Sequence, residues 1–192
     1  MNKNIFTTEG EVNKFFRSQQ KKQKTKCIWL TGLSGSGKSA IAQMLELYLF
    51  KKKRHTYILD GDNLRQGISR DLGFSKKDKS ENLRRVAEIS KLMTDAGLIV
   101  IVALISPFEK DRKFARSLFK KNDFIEVYIS TPLSVCKKRD TKKLYLKSKN
   151  KNNFNMIGTK GDYEKPKKPD LIVDTSNENL SKIVKKIFRK IM

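Results

Sequence analysis

Apolar residues along the chain fall into two alternating patterns. Cys27–Leu30 and Thr56–Leu59 are short runs that are apolar or rich in β-formers, and each predicts a strand. Leu98–Ile105 is apolar without a break, the pattern of a strand covered on both faces in a parallel sheet. Phe124–Ile129 and Leu171–Val173 predict further strands. Between these runs the apolar residues take helical spacing. Ser39–Phe50 carries Ile41, Leu45 and Leu49 on one side. Ser75 opens a long helix, with Asp78 as its capping-box partner. Leu83, Val86, Ala87, Ser90 and Met93 form the inner stripe of that helix, and Gly97 follows its end. Glu109–Phe119 is helical, and Thr131-Pro132 opens a helix through Cys136 to Arg139. A terminal amphipathic helix sets Leu180, Ile183, Val184, Ile187, Phe188 and Ile191 on one side.

Strand and helix alternate throughout, so the fold class is α/β, with a parallel β-sheet sandwiched by helices. Sites in such sheets form beyond the C-terminal strand ends. Residues 1–26 are polar and end in the basic run Lys21–Lys26. They predict a loosely packed, basic N-terminal arm with a helix around Val12–Arg17. Residues 27–192 form the domain proper. Within it, about residues 140–169 are rich in lysine and asparagine and carry Gly158, Gly161, Pro166 and Pro169. That composition predicts a mobile lid.

A chain of 192 residues, 38% of them hydrophobic, suits one globular domain. No apolar run is long enough to span a bilayer, and Met1–Gly10 lacks the apolar core of a secretion signal, so no membrane partner is expected. Cys27 and Cys136 lie far apart inside predicted elements, which predicts a reducing, cytoplasmic setting without a disulfide framework. The net charge of +23 admits three readings. Lysine is spread along the whole chain, so decoration of a solvated surface comes first. A field that attracts small anionic substrates comes second. Nucleic acid comes third, because no basic motif interleaved with aromatic residues is present.

The segment Gly32-Leu33-Ser34-Gly35-Ser36-Gly37-Lys38-Ser39 sits between a predicted strand and a predicted helix. It is a complete phosphate-binding loop in its proper setting. It places the fold among P-loop NTPases and nucleotide kinases, with ATP and Mg2+ as cofactors. Glycines let backbone N–H groups curl round a polyphosphate, and the helix N-terminus adds its dipole. Lys38 is expected to reach the β- and γ-phosphates, and the Ser39 hydroxyl to bind magnesium.

Asp60-Gly61-Asp62-Asn63-Leu64-Arg65 follows the second predicted strand, which is expected beside the P-loop strand. Carboxylates near a magnesium–triphosphate can hold metal-bound water or accept a proton from a hydroxyl nucleophile. Arg65 can grip an anionic group in fork geometry. The alternative is a polar turn in which Asp60 or Asp62 only caps the next helix. Ile105-Ser106-Pro107 puts Ser106 at the edge of the third apolar strand; the plainer alternative is a Ser-Pro turn into the next helix.

These motifs are joined, in order, by Asp71-Leu72-Gly73-Phe74, Glu81-Asn82-Leu83-Arg84-Arg85, Phe124-Ile125-Glu126-Val127, Thr131-Pro132-Leu133, Cys136, Arg139-Asp140, Leu144-Tyr145 and Tyr163-Glu164. Over about residues 25–175 the chain resembles the adenylylsulfate kinase family. The resemblance implies transfer of the ATP γ-phosphate to the ribose 3′-hydroxyl of adenosine 5′-phosphosulfate, an anionic nucleotide. It implies catalytic roles for Lys38, Asp62 and Ser106, with Ser106 at the position the family labels a phosphoserine intermediate. Direct in-line transfer needs only positioning and charge stabilisation, so orienting the substrate is the other role open to Ser106. ATP contacts are implied for Gly32–Ser39 and Arg139, and metal contacts for Ser39 and Asp60. Acceptor contacts are implied for Asp62, Arg65, Phe74, Lys79, Asn82, Ile105, Ser106, Lys142 and Met156.

Three positions depart from the family pattern, all on the acceptor side. Lys79 replaces an arginine, Met156 replaces a phenylalanine that closes the base sandwich, and Thr141-Lys142-Lys143 replaces Pro-Lys-Gly. A point charge does not reproduce a fork, and methionine does not stack like a ring. A second reading therefore keeps the fold and reaction but takes another nucleotide, such as cytidine diphosphoramidate in capsule biosynthesis. A third, of a different class, is a nucleic-acid-binding P-loop protein. A homodimer is admitted as the assembly.

Overall fold

The computed structural model describes residues 10–150 and 162–192. Its strands are β1 (Lys26–Thr31), β2 (Thr56–Asp60), β3 (Ile99–Ala103), β4 (Phe124–Ile129) and β5 (Leu171–Val173). Between and around them run α1 (Lys14–Gln20), α2 (Lys38–Lys51), α3 (Gly61–Gln66), α4 (Lys76–Asp95), α5 (Glu109–Ser117), α6 (Leu133–Arg139), α7 (Leu144–Asn150) and α8 (Leu180–Ile191). No described helix is long and apolar enough to cross a membrane.

The strands form one parallel sheet in the order β2-β3-β1-β4-β5. The expectation that β2 adjoins the P-loop strand is corrected, because β3 lies between β2 and β1. The unbroken apolar run belongs to β3, which is paired on both edges and buried along its whole length. Alternate side chains along the strands divide the core between the two faces. Ile28, Leu30, Ile99, Ile101 and Val127 meet Ile41, Leu45 and Leu49 of α2 and Ile183 and Ile187 of α8. Cys27, Trp29, Val100 and Val102 meet Leu83, Val86 and Ala87 of α4 and Ala115 of α5.

The capping box of α4 is formed. Asp78 N donates to Ser75 Oγ at 3.1 Å, and Ser75 N donates to Asp78 Oδ2 at 3.3 Å. The N-terminal arm, expected to pack loosely, is seated on the domain in its described part. Gln23 is buried; its amide donates to the carbonyls of His55 and Gly97, and its Oε1 accepts from His55 N. Lys14 pairs with Asp123 at 2.8 Å.

Two short helices were not read from the pattern. α3 buries none of its residues, so it leaves no apolar signature. α7 falls in the lysine-rich stretch read as a lid, and its packing rests on Leu144 and Tyr145 against Cys136. Residues 151–161, including Phe154, Met156 and Gly158, lie outside the described residues. Beyond them the chain is packed on the body. The Tyr163 hydroxyl lies 2.9 Å from Thr31 Oγ1, and Glu164 N donates to Pro107 O at 2.9 Å.

Candidate active site

β1 ends at Thr31, and the chain curls through Gly32–Gly37 into α2. A Cβ on Gly32 would lie 2.7 Å from Ile129 O, and one on Gly35 2.8 Å from Cys136 O. Both are backbone atoms that cannot swing aside, so the loop tolerates only glycine there. The loop is held from behind. Thr131 Oγ1 and Thr175 Oγ1 both donate to Ser36 O, and Tyr145 Oη donates to Ser34 O at 2.9 Å. α2 starts at Gly37 without a side-chain cap, so its first N–H groups are left for an anion.

Lys38 is buried, and its ammonium donates to the carbonyls of Gly32 at 3.0 Å and Leu33 at 2.7 Å. Burial pulls its pKa down to about 8; the carboxylates of Asp60 and Asp62 oppose the shift, and Lys142 adds to it. Ser39 Oγ donates to Asp60 Oδ2 at 2.7 Å. The other Asp60 oxygen accepts from Asp62 N at 3.1 Å and caps α3. Asp60 thus caps a helix, as the plainer alternative held, and also faces the phosphate loop through Ser39.

The far half of the cleft is built by α3, α4 and the turn after β3. Asp62 pairs with Lys142. The Arg65 guanidinium lies 4.5 Å over the Phe74 ring and donates to Gly73 O at 2.8 Å. Phe74 is still 62% exposed, which leaves ring surface for a base. Lys79 lines the cleft, and burial lowers its pKa. Asn82 is buried there, and its Oδ1 meets no hydrogen-bond partner in the protein. Such an orphaned acceptor calls for a ligand donor. Ser106 stands at φ +44°, buried, with Oγ accepting from the Trp29 indole N–H at 2.9 Å. Arg139 is held by two bonds to Thr175.

One cleft of about 720 Å³ brings Ser34, Gly35, Gly37, Lys38, Ser39, Asp60, Asp62, Arg65, Phe74, Lys79, Asn82, Ile105, Ser106, Arg139 and Lys142 together. Gly32, Leu33 and Ser36 shape the loop without lining the cleft, and Met156 lies outside the described residues. Thr175 escaped the sequence reading: its side chain acts only through tertiary contact, and its one signal was a place just past a strand end. Among the described residues no cluster of His, Cys, Asp and Glu forms a self-sufficient metal site. The hydroxyl–carboxylate pair of Ser39 and Asp60 nonetheless fits magnesium, a hard cation that takes its remaining ligands from phosphates and water.

A parallel sheet whose first strand runs into a phosphate loop, with a cationic and aromatic pocket in the same cleft, makes this a P-loop kinase. The sequence model of the adenylylsulphate kinase family matches residues 24–174. The chain belongs to that family. The adenylyl-sulfate kinase of Pseudomonas aeruginosa is 51% identical over 171 residues, 89% of this chain and 87% of that protein. The bifunctional enzyme NodQ of a Rhizobium strain is 48% identical over 92% of this chain, which spans only 28% of that longer enzyme. In structure, the Mycobacterium tuberculosis APS kinase CysC, in complex with AMPPNP and APS, superposes with a TM-score of 0.83. It is 39% identical, and the match covers 88% of this chain and 98% of that one.

Proposed function

We propose that this protein transfers the γ-phosphate of ATP to the ribose 3′-hydroxyl of adenosine 5′-phosphosulfate, the activation step of sulfate assimilation. The carrying observation is the continuity of the cleft: the phosphate loop at one end and Arg65, Phe74 and Asn82 at the other share one cavity, with Lys38 and Asp62 lining it. Backbone N–H groups of the loop and of the start of α2 cradle the triphosphate. Lys38 leaves the loop carbonyls for the β- and γ-phosphates and neutralises charge that builds up during transfer. Ser39 and Asp60 would hold magnesium, which when bound would supply charge neutralisation to the phosphates.

Phe74 stacks on the acceptor base, Asn82 takes up a donor on its orphaned Oδ1, and Arg65, Lys79 and Lys142 meet the acceptor's anionic groups. An anionic acceptor draws Lys142 away from Asp62. The freed carboxylate then stands ready to accept the 3′-hydroxyl proton. Ile105 and Ser106 shape the wall behind the acceptor. The Ser106 hydroxyl is already engaged by Trp29 and by Leu104 O, which favours an orienting role over a phosphoryl carrier. The unpaired, buried Cys27 and Cys136 support a cytoplasmic setting.

The test is incubation with Mg-ATP and a panel of nucleotides, with mass identification of the phosphorylated product. Adenosine 5′-phosphosulfate is expected to give the 3′-phosphate. A product formed only from a cytidine diphosphate analogue would support the second reading, which Lys79 in place of an arginine motivates. In that case Lys79→Arg should raise turnover of adenylylsulfate.

A further inference from the structure

Arg112 of α5 is only 2% exposed, and none of the roles above uses it. A buried guanidinium persists only where its charge is met and its N–H groups are bonded. Nη1 donates to Ser106 O at 2.7 Å, and Nη2 donates to Glu164 O at 2.7 Å. Nε lies 3.0 Å from Glu126 Oε1, but its N–H is not directed at that oxygen, so charge alone holds this pair. Glu126 stands on β4 opposite Trp29 of β1. Its other oxygen faces Arg116, which pairs with Asp170 at 2.6 Å.

The two carbonyls belong to different segments of chain. Ser106 follows β3 and lines the acceptor half of the cleft. It holds a positive φ that a serine adopts only under constraint. Glu164 lies on the segment that returns to β5. Its N–H donates to Pro107 O, and its carboxylate accepts from Glu109 N. Thr31, the last residue of β1, joins the same knot. Its hydroxyl donates to Ile105 O at 2.8 Å and lies 2.9 Å from the Tyr163 hydroxyl. The Thr31 side chain thus ties the acceptor wall to the strand that feeds the phosphate loop, and Arg112 joins this knot through the carbonyls of Ser106 and Glu164.

We propose that Arg112 is a positioning residue of the kinase reaction. By bridging the Ser106 and Glu164 carbonyls over Glu126, it fixes the acceptor wall relative to the phosphate loop. This rests on reading the cleft as the adenylylsulfate site. Near-attack geometry is sensitive to displacements of about 1 Å, which can cost on the order of a hundredfold in rate. The role therefore predicts damage to the acceptor side with the ATP side spared.

The chain carries its own probe. Trp29 is its single tryptophan, fully buried, with its indole N–H on Ser106 Oγ. The experiment compares wild type, Arg112→Lys and Arg112→Met by steady-state kinetics, calorimetric ATP affinity without acceptor, and Trp29 emission. Arg112→Lys keeps the charge over Glu126 but cannot span both carbonyls. It should lower acceptor kcat/KM by about tenfold to a hundredfold, shift Trp29 emission, and leave ATP affinity within about twofold. Arg112→Met should do more; if it does not fold, Arg112→Lys decides alone. Acceptor and ATP parameters that fall together with the folded fraction would overturn the proposal. So would a Lys variant matching wild type in acceptor KM and emission. Failure of the parent reading looks different: the wild type itself would not turn over adenylylsulfate, and the same ratios would be read with the nucleotide that does react.

Discussion

Lys38 is solvated by the carbonyls of its own loop, and burial holds its pKa near 8. A bound triphosphate restores the charged form, because an opposite charge close by raises a lysine's pKa. Nucleotide binding must therefore take up a proton when free Lys38 is partly neutral. The sign follows from the depressed value: below about pH 7 the ammonium is already charged and uptake vanishes, near pH 8 it is about half a proton, and it rises toward one above that. Calorimetry of MgATP binding in two buffers of different ionisation enthalpy measures it. In Lys38→Ala the uptake should disappear and kcat should fall by at least about a hundredfold, the scale of a lost transition-state donor. Uptake that survives in the variant would assign the titration to another group.

α4 shows how an element carries a site. Its first turns present Lys79 and Asn82 to the cleft, and the capping box fixes where those turns begin. Ser75→Ala should cost about 1 kcal/mol of stability, or roughly 2–4 °C in Tm. It should also raise the acceptor KM more than the ATP KM; equal movement of both would confine the cap to stability. The cap was legible because Ser75 and Asp78 are local in sequence, and β4 and β5 were read with their observed bounds because β-rich runs end sharply. Lateral strand order was not legible, since side-chain periodicity says nothing about which strand lies beside which. α3 and α7 were missed for want of an apolar stripe. The place of the phosphate loop between β1 and α2 was legible, because its motif lies in one continuous segment. Thr175 and Arg112 were invisible to that reading, because each acts on residues far away in sequence.

At the scale of the molecule, the two large core clusters on the faces of the sheet are built of apolar side chains. The acids of the cleft are few beside the cations gathered there, Arg65, Lys79, Arg139 and Lys142. Magnesium is therefore expected to serve turnover and not folding. Removing it with a chelator should abolish phosphoryl transfer while Tm stays within about 1 °C. A large drop in Tm would place a structural metal in the chain. The charge of +23 predicts a field that would draw anionic nucleotides toward the protein at low ionic strength.

The strand order also bears on how the protein is made. β1 leaves the ribosome before both of its sheet neighbours, β3 and β4. Thr131 and Thr175, which brace the loop at Ser36, follow later still. Until these segments emerge, the nascent chain carries a complete phosphate-loop sequence without the frame that holds it. A chain cut short before β5 would expose the unpaired edge of β4 to whatever strand or chaperone it meets first.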